Sequence, residues 1–319
     1  MRYAILSDIH GNMPALAAAL QETRTMAIDR YIFVGDYSAY LFNPAQVVDT
    51  LRQLEATAGE GREPLIVRGN EEDYFLNYAR QDQATWTDGQ FQAHYWTYRA
   101  IDAPSHAYLA GLPKTLRLQD QGIPITISHV PNDICGPVKG LGFSSFRVAN
   151  AYQHLPDYTR QRLLDDVAKF IAEYDFVDTP PLEDGIYIFG HSHLQWHAWQ
   201  GGKLLINPGS CGLPLDGTPG APYTILDIQN HRATVTEHRA HYDLDALIAD
   251  FKASSLYAAA AVWSGVILRE LIEHFEYAWP FLQFAAAHAQ NINDPIRPYT
   301  KQTWEQAYEL WQKSFRKIP

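Results

Sequence analysis

Residues 3–11 read YAILSDIHG. A short apolar run passes directly into serine, aspartate, isoleucine, histidine and glycine. Side chains alternate along an extended chain, so Asp8 and His10 fall on the same side, and the glycine that follows permits a sharp turn. A carboxylate and an imidazole are costly to bury unless they are bonded to something. Alone, the stretch is compatible with a polar turn, and its meaning depends on what recurs further along.

Runs of the same kind do recur: RYIFVG at 30–35, PLIVRG at 64–69, PITISH at 124–129, IYIFGH at 186–191, KLLINP at 203–208, YTILDI at 223–228 and ATVTEHR at 233–239. Between the first two, NMPALAAALQETRTM (12–26) reads as a helix, with Asn12 as N-cap and Pro14 in the first turn. Near-continuous apolar strands alternating with helices indicate an α/β domain. From KLLINP onward the strands follow one another too closely for helices, so that part is expected to be antiparallel or mixed. Residues 71–115 interrupt the scheme with many aromatics, among them Tyr74, Phe75, Tyr78, Trp86, Phe91, Tyr95, Trp96 and Tyr98. They read first as packing, in a helical insertion. Residues 143–178 read as a second helical insertion, opened by Asp157 or Thr159. From 241 to 319 the chain is helical and aromatic, broken at Pro280, Pro295 and Pro298. The expected organisation is one domain over 1–240 and a helical extension over 241–319, packed on the first domain or at a subunit interface.

Composition narrows the function. With 319 residues, 46% of them hydrophobic and 19% charged, the chain is ordinary for a globular protein. A net charge of −11 without a basic stretch argues against binding duplex nucleic acid. Cys135 and Cys211 are too few for a disulfide scaffold and suit a reducing cytosol. The longest apolar stretch, 256–268, is too short to span a bilayer, so no membrane role and a cytoplasmic location are expected.

Every strand in the first part of the chain ends in a polar residue able to do chemistry. Asp8 and His10 follow the first, Asp36 the second and Asn70 the third; His129 follows another, and FGHSH supplies His191 and His193. In open α/β sheets, ligands bind beyond the carboxyl ends of the strands. These nitrogen and oxygen donors, with no thiolate among them, suit divalent Mn, Fe, Zn or Ni. They exceed the needs of one ion but match two ions sharing a carboxylate, an arrangement that activates water for displacement at phosphorus. Two dications against two carboxylates leave a positive pocket, which would draw a small anionic phosphoester.

The ordered set D-x-H, G-D, G-N, H, G-H-x-H resembles the calcineurin-like metallophosphoesterase superfamily. The fuller form, SDIHGNMPAL, VGDYSAYLFNP, RGN, GHSH and INPGSCGLPLDG, looks like its bacterial and archaeal YfcE-type phosphodiesterase branch. The resemblance covers roughly residues 1–240 and implies a four-layer αββα sandwich, here with a helical C-terminal extension. It implies two divalent metal ions between the sheets, one held by Asp8, His10, Asp36 and His193. Asp36, as the bridge, would hold the other with Asn70, His129 and His191. The superfamily usually carries a histidine after the asparagine, where it serves the leaving oxygen; here Glu71 stands in that place, followed by Glu72 and Asp73. Glu71 is therefore the candidate catalytic residue, expected to be a poor proton donor beside two dications; the alternative is that it only caps the next helix. The implied activity is phosphoester hydrolysis by attack of a metal-bound hydroxide on phosphorus. A phosphodiester or nucleotide-type substrate is favoured over a phosphoprotein, and a non-catalytic binding platform on the same fold is the rival class.

Overall fold

The computed structural model describes residues 1–78, 89–135, 159, 161–162, 165 and 183–315. The first strand, β1 (Arg2–Leu6), leads into helix α1 (Met13–Thr23) and returns as β2 (Arg30–Phe33). Helix α2 (Pro44–Thr57) then leads to the short β3 (Leu65–Ile66). These three strands are parallel. Asn12 caps α1 by accepting a hydrogen bond from Ala15 N at 3.1 Å, with a proline at the start of the helix as the spacing predicts.

Near-continuous apolar sequence is explained by two covered faces. On β1, Tyr3 and Ile5 point to one side and join Ile125, Ile127, Ile186 and Ile206 in a core between two sheets. Ala4 and Leu6 point to the other side, against Leu16 of α1 and Val47 of α2. The second sheet contains β4 (Thr115–Asp120), β5 (Ile123–Ser128), β6 (Gly185–Ile188), β7 (Gln195–Gln200) and β8 (Lys203–Pro208), ordered β4-β5-β6-β8-β7. The chain then crosses back to the first sheet as β9 (Ala221–Gln229) and β10 (Arg232–Ala240), giving the order β10-β9-β1-β2-β3. Both sheets are mixed, and the fold is an α/β sandwich of two sheets flanked by helices. The closely spaced strands from KLLINP onward do not form one meander: β8 lies parallel to β6, whereas β9 lies antiparallel to β1 in the other sheet.

Two strands escape the sequence reading. Both β4 (TLRLQD) and β7 (QWHAWQ) are edge strands, each paired to one neighbour, and both alternate exposed with covered residues instead of running apolar. Within the aromatic segment the chain forms α3 (Asn70–Tyr78), α4 (Gln92–Ala100) and α5 (Ala103–Gly111). One turn of helix, α6 (Asn132–Cys135), follows β5. The expected helical insertion at 143–178 lies almost wholly outside the described residues.

After β10 come α7 (Leu244–Ala253), α8 (Ser255–Ala259), α9 (Ala261–Glu273), α10 (Ala278–Asn291) and α11 (Lys301–Phe315). Asp243 and Ser254 cap α7 and α8 through bonds from Ala246 N and Tyr257 N. These helices enclose their own core, including Phe251, Val266, Ile267, Phe281, Trp304 and Trp311, which Leu41, Leu213 and Leu215 of the sandwich enter. Phe42 stacks on Phe251 at 6.0 Å, and Trp96 Nε1 donates to Ser255 Oγ at 3.1 Å. No helix among the described residues is long and apolar enough to cross a membrane.

Candidate metal centre

Beyond their last paired residues, β1 and β2 continue side by side as loops: Asp8 N donates to Gly35 O at 3.0 Å, His10 N to Asp36 O at 3.0 Å and Gly11 N to Tyr37 O at 2.9 Å. Here the backbone departs from the extended geometry expected from the sequence. Asp8 and His10 both have φ of 51°, Asp36 54°, His191 70° and His193 58°. Left-handed conformations at non-glycine residues cost on the order of 1–3 kcal/mol each and persist only where surrounding structure enforces them. Asp8 and His10 therefore converge through successive strained turns, not through strand pleating. Glycines make room for this: a Cβ at Gly69 would collide with the Asp36 carboxylate, and one at Gly190 with Ser7 Oγ.

The side chains form two adjoining groups, Asp8 with His10 and His193, and Asp36 with His129 and His191; within each, the potential ligand atoms lie within 4.8 Å of one another. In the first, His193 Nε2 is 3.0 Å from His10 Nε2 and 3.3 Å from Asp8 Oδ1. In the second, His129 Nε2 is 3.1 Å from both Asp36 Oδ2 and Asn70 Oδ1. Asp8 connects the groups: its Oδ1 is 3.9 Å from His129 Nε2, and both its oxygens accept from His191 N at 3.1 Å. All seven residues expected from the sequence thus lie around one point.

The surrounding contacts orient the imidazoles. His129 Nδ1 donates to Val34 O at 2.7 Å and His193 Nδ1 to Leu213 O at 2.8 Å. A carbonyl can only accept, so each ring holds its proton on Nδ1 and turns the Nε2 lone pair inward, as metal-ligating histidines do. His10 Nε2 lies 3.0 Å from His193 Nε2, close enough for both nitrogens to ligate one cation. Electrostatics agree. Burial opposes charge on His129, yet the carboxylates of Asp36 and Asp8 push it up to about 10; Asp8 likewise raises His193 against its burial. Burial and the neighbouring His193 push His10 down to about 3, and burial with His129 pushes His191 to about 4. Burial would raise Asp8, but His129 and His193 hold it well below the usual carboxylate range. Each group therefore contains a spot that attracts positive charge beside neutral imidazoles, which fits a divalent ion in each.

Glu71 faces the same place. Its N donates to Asp36 Oδ1 at 2.9 Å; its carboxylate receives Tyr40 Oη at 3.0 Å and lies 3.2 Å from His94 Nε2. The residue that ties the helix start to the loop is instead Glu72, which accepts from Gly69 N, Asp36 N and Tyr37 N at 2.8, 3.0 and 2.9 Å. Burial and the Asp36 charge push Glu72 up to about 7. Neither Glu72 nor His94 was singled out from sequence: the first looks like one of three acids on a helix start, the second like one polar residue among aromatics. The NPGS segment buttresses the centre, with Asn207 Nδ2 donating to Gly190 O at 2.7 Å and Ser210 Oγ to Asp8 O at 2.7 Å.

A cavity of about 560 Å³ opens onto these residues. Tyr74, Phe91 and His94 of the aromatic segment wall one part; Trp263, Glu270, Trp279 and Trp304 of the C-terminal helices wall another.

A sequence profile described as Calcineurin-like phosphoesterase matches residues 1–195. An uncharacterized protein of Methanocaldococcus jannaschii is 27% identical over 258 residues, covering 76% of this chain and 88% of that relative. Among solved structures, a metallophosphoesterase from Sphaerobacter thermophilus aligns with a TM-score of 0.52 at 23% identity, covering 86% of this chain and 100% of that one. A hypothetical protein from Pyrococcus horikoshii aligns with a TM-score of 0.56 at 18% identity, over 82% and 97%.

Proposed function

The chain belongs to the calcineurin-like phosphoesterase family, and from that premise we propose that this metallophosphoesterase hydrolyses a small phosphodiester or nucleotide-type ester with two divalent ions. Asp8, His10 and His193 would hold one ion and Asn70, His129 and His191 the other, with Asp36 shared. The observation that carries this reading is the pair of adjoining Asp–His–His groups, each with its ligand atoms within 4.8 Å. Bound there, divalent ions polarise phosphoryl oxygens and make water acidic enough to serve as the nucleophile.

The chain's own residues supply the rest. Leu213 O and Val34 O fix the imidazole tautomers, and Glu72 holds the Asp36 loop through three backbone bonds. The walls of aromatic segment and C-terminal helices limit the size of the ester. Tyr40 and His94 pin Glu71 on the wall as an acceptor, which leaves it poorly disposed to protonate a leaving oxygen. A cavity of about 560 Å³ walled by aromatic side chains supports a small ester over a phosphoprotein. The test is hydrolysis of bis(4-nitrophenyl) phosphate after reconstitution with Mn, Fe, Zn or Ni. Turnover that vanishes on chelation and returns with metal is expected. Full metal binding without turnover on any mono- or diester would instead favour a binding platform.

A further inference from the structure

The cavity wall built by the C-terminal helices has a composition suited to one kind of substrate arm. Among the described residues, the lining includes neither lysine nor arginine. Attraction of the phosphoryl group is therefore left to the metal centre, and the remaining wall is acidic and aromatic. Glu270, on α9, is 1% exposed. Its Oε1 accepts from Tyr277 N and Ala278 N, both at 2.7 Å, and the residue lines the cavity. Glu276, 3% exposed, lines the same wall and accepts from Trp279 N through Oε1 at 2.6 Å.

Aromatic rings line the same wall as these carboxyls. Trp263 packs on Tyr40 at 5.9 Å and on Trp304 at 6.3 Å, while Tyr40 stacks on His10 at 4.5 Å. Two ring contacts therefore connect the metal centre to this wall. Two carboxyl groups and the tryptophan rings of one cavity wall form a surface complementary to a cation, and tryptophan faces are the strongest aromatic partners for an ammonium ion.

Building on the phosphoesterase reading, we propose that this wall receives the ammonium end of an amino-alcohol phosphodiester whose phosphoryl group lies at the metal centre. The substrate is zwitterionic: its phosphate faces the cations and its ammonium faces Glu270, Glu276 and the ring of Trp263. Both halves line one cavity, with His10 and His193 on one side and Glu270, Glu276 and Trp263 on the other, so a single small ester can span them. A neutral nucleobase would offer the carboxyls N–H donors but no charge.

Two matched esters test this with the manganese-loaded protein: 4-nitrophenyl phosphocholine, and 4-nitrophenyl 3,3-dimethylbutyl phosphate, in which carbon replaces the quaternary nitrogen. We expect kcat/KM to favour the choline ester by about tenfold or more, mainly through KM. The ratio should fall toward one in the Glu270→Gln/Glu276→Gln double variant. Glutamine keeps an acceptor oxygen for Tyr277, Ala278 and Trp279, so a purely structural role would leave the ratio unchanged. A second readout needs no turnover: choline chloride should quench tryptophan fluorescence saturably, and the double variant should lose this quench. Equal turnover of the two esters, absence of a saturable quench, or higher kcat/KM for an adenosine phosphodiester overturns the subsite while the phosphoesterase reading stands. A saturable, variant-sensitive quench with no ester hydrolysed under any metal keeps the subsite and overturns that reading.

Discussion

Two regions face the same cavity and are built by opposite means. The strand-end loops carry Asp8, His10, Asp36, His191 and His193 in left-handed backbone, where hydrogen bonds between loops enforce a costly geometry. The C-terminal wall is made of ordinary helices around an aromatic core, with Phe281 against Trp304 at 4.7 Å and Trp311 at 5.2 Å. The first region spends conformational freedom to fix reacting atoms, whereas the second uses bulk packing to give the cavity its shape. On the proposed function, reactivity would belong to a locally strained frame and selectivity to an appended helical layer.

The largest effect that sharpens this division is expected from Asp36→Asn. Its carboxylate is the shared member of the proposed pair of ions and also receives Glu71 N at 2.9 Å, which asparagine Oδ1 can still accept. Metal content should fall toward zero and kcat/KM by about a thousandfold or more, roughly 4 kcal/mol of barrier. Elemental analysis alongside a diesterase assay measures both. Loss of a single ion with the other retained would show that the two groups bind independently and that Asp36 is not shared.

The difference between the regions also explains what was legible in the sequence. Polar residues at the tips of apolar strands stand out, because a strand that ends in aspartate or histidine gives up apolar burial for something else. All seven such positions converge in the structure. The conformations that bring them together were not legible, since left-handed backbone at Asp8 or His193 depends on partners such as Gly35 and Leu215, far away in sequence. The edge strands β4 and β7 were missed because half their side chains face outward. Glu270 gave no signal: within AVWSGVILRELIE a glutamate reads as part of a solvated helix face, and only tertiary packing turns it inward.

Phe281→Ala strikes the helical layer. The ring is fully buried between Trp304, Tyr308 and Trp311. Truncation should cost about 3–5 kcal/mol of stability, read from denaturant unfolding. Metal stoichiometry should be retained under native conditions, because the ligands belong to the sandwich. If metal binding is lost together with the packing, the two regions form one cooperative unit and their separation fails.

The buried acids of the wall predict a pH effect. Glu276 is held up to about 7, against 4.5 ordinarily, chiefly by burial. A carboxyl raised in the folded state stabilises fully below its unfolded value, and that contribution is lost as pH rises through the folded value. Stability of the native protein should therefore decline between about pH 4.5 and 7, by on the order of 3 kcal/mol for this group. Glu276→Gln should flatten the slope without abolishing it, because Glu72 is raised to about 7 in the same direction. An unchanged slope in the variant would place the titration elsewhere.

The smallest effect concerns the one position where the strand-end frame departs from the superfamily pattern. Glu71 accepts from Tyr40 and pairs with His94, and its own N–H reaches Asp36, so its side chain is fixed on the cavity wall and does not cap the helix. With both carboxyl oxygens engaged by Tyr40 and His94, turnover is expected to follow the acidity of the leaving group: nitrophenyl esters fast, alkyl esters slow. Glu71→His places a donor at the same backbone position. An unoptimised general acid falls short of the usual hundredfold or more, so alkyl esters should gain about tenfold, close to 1.4 kcal/mol of barrier, and nitrophenyl esters should hardly change. A plot of rate against leaving-group pKa for both proteins reads this directly as a shallower slope in the variant. If Glu71→Gln instead removes activity on alkyl esters alone, Glu71 is itself the proton donor and the wall takes part in the chemistry it was assigned only to enclose.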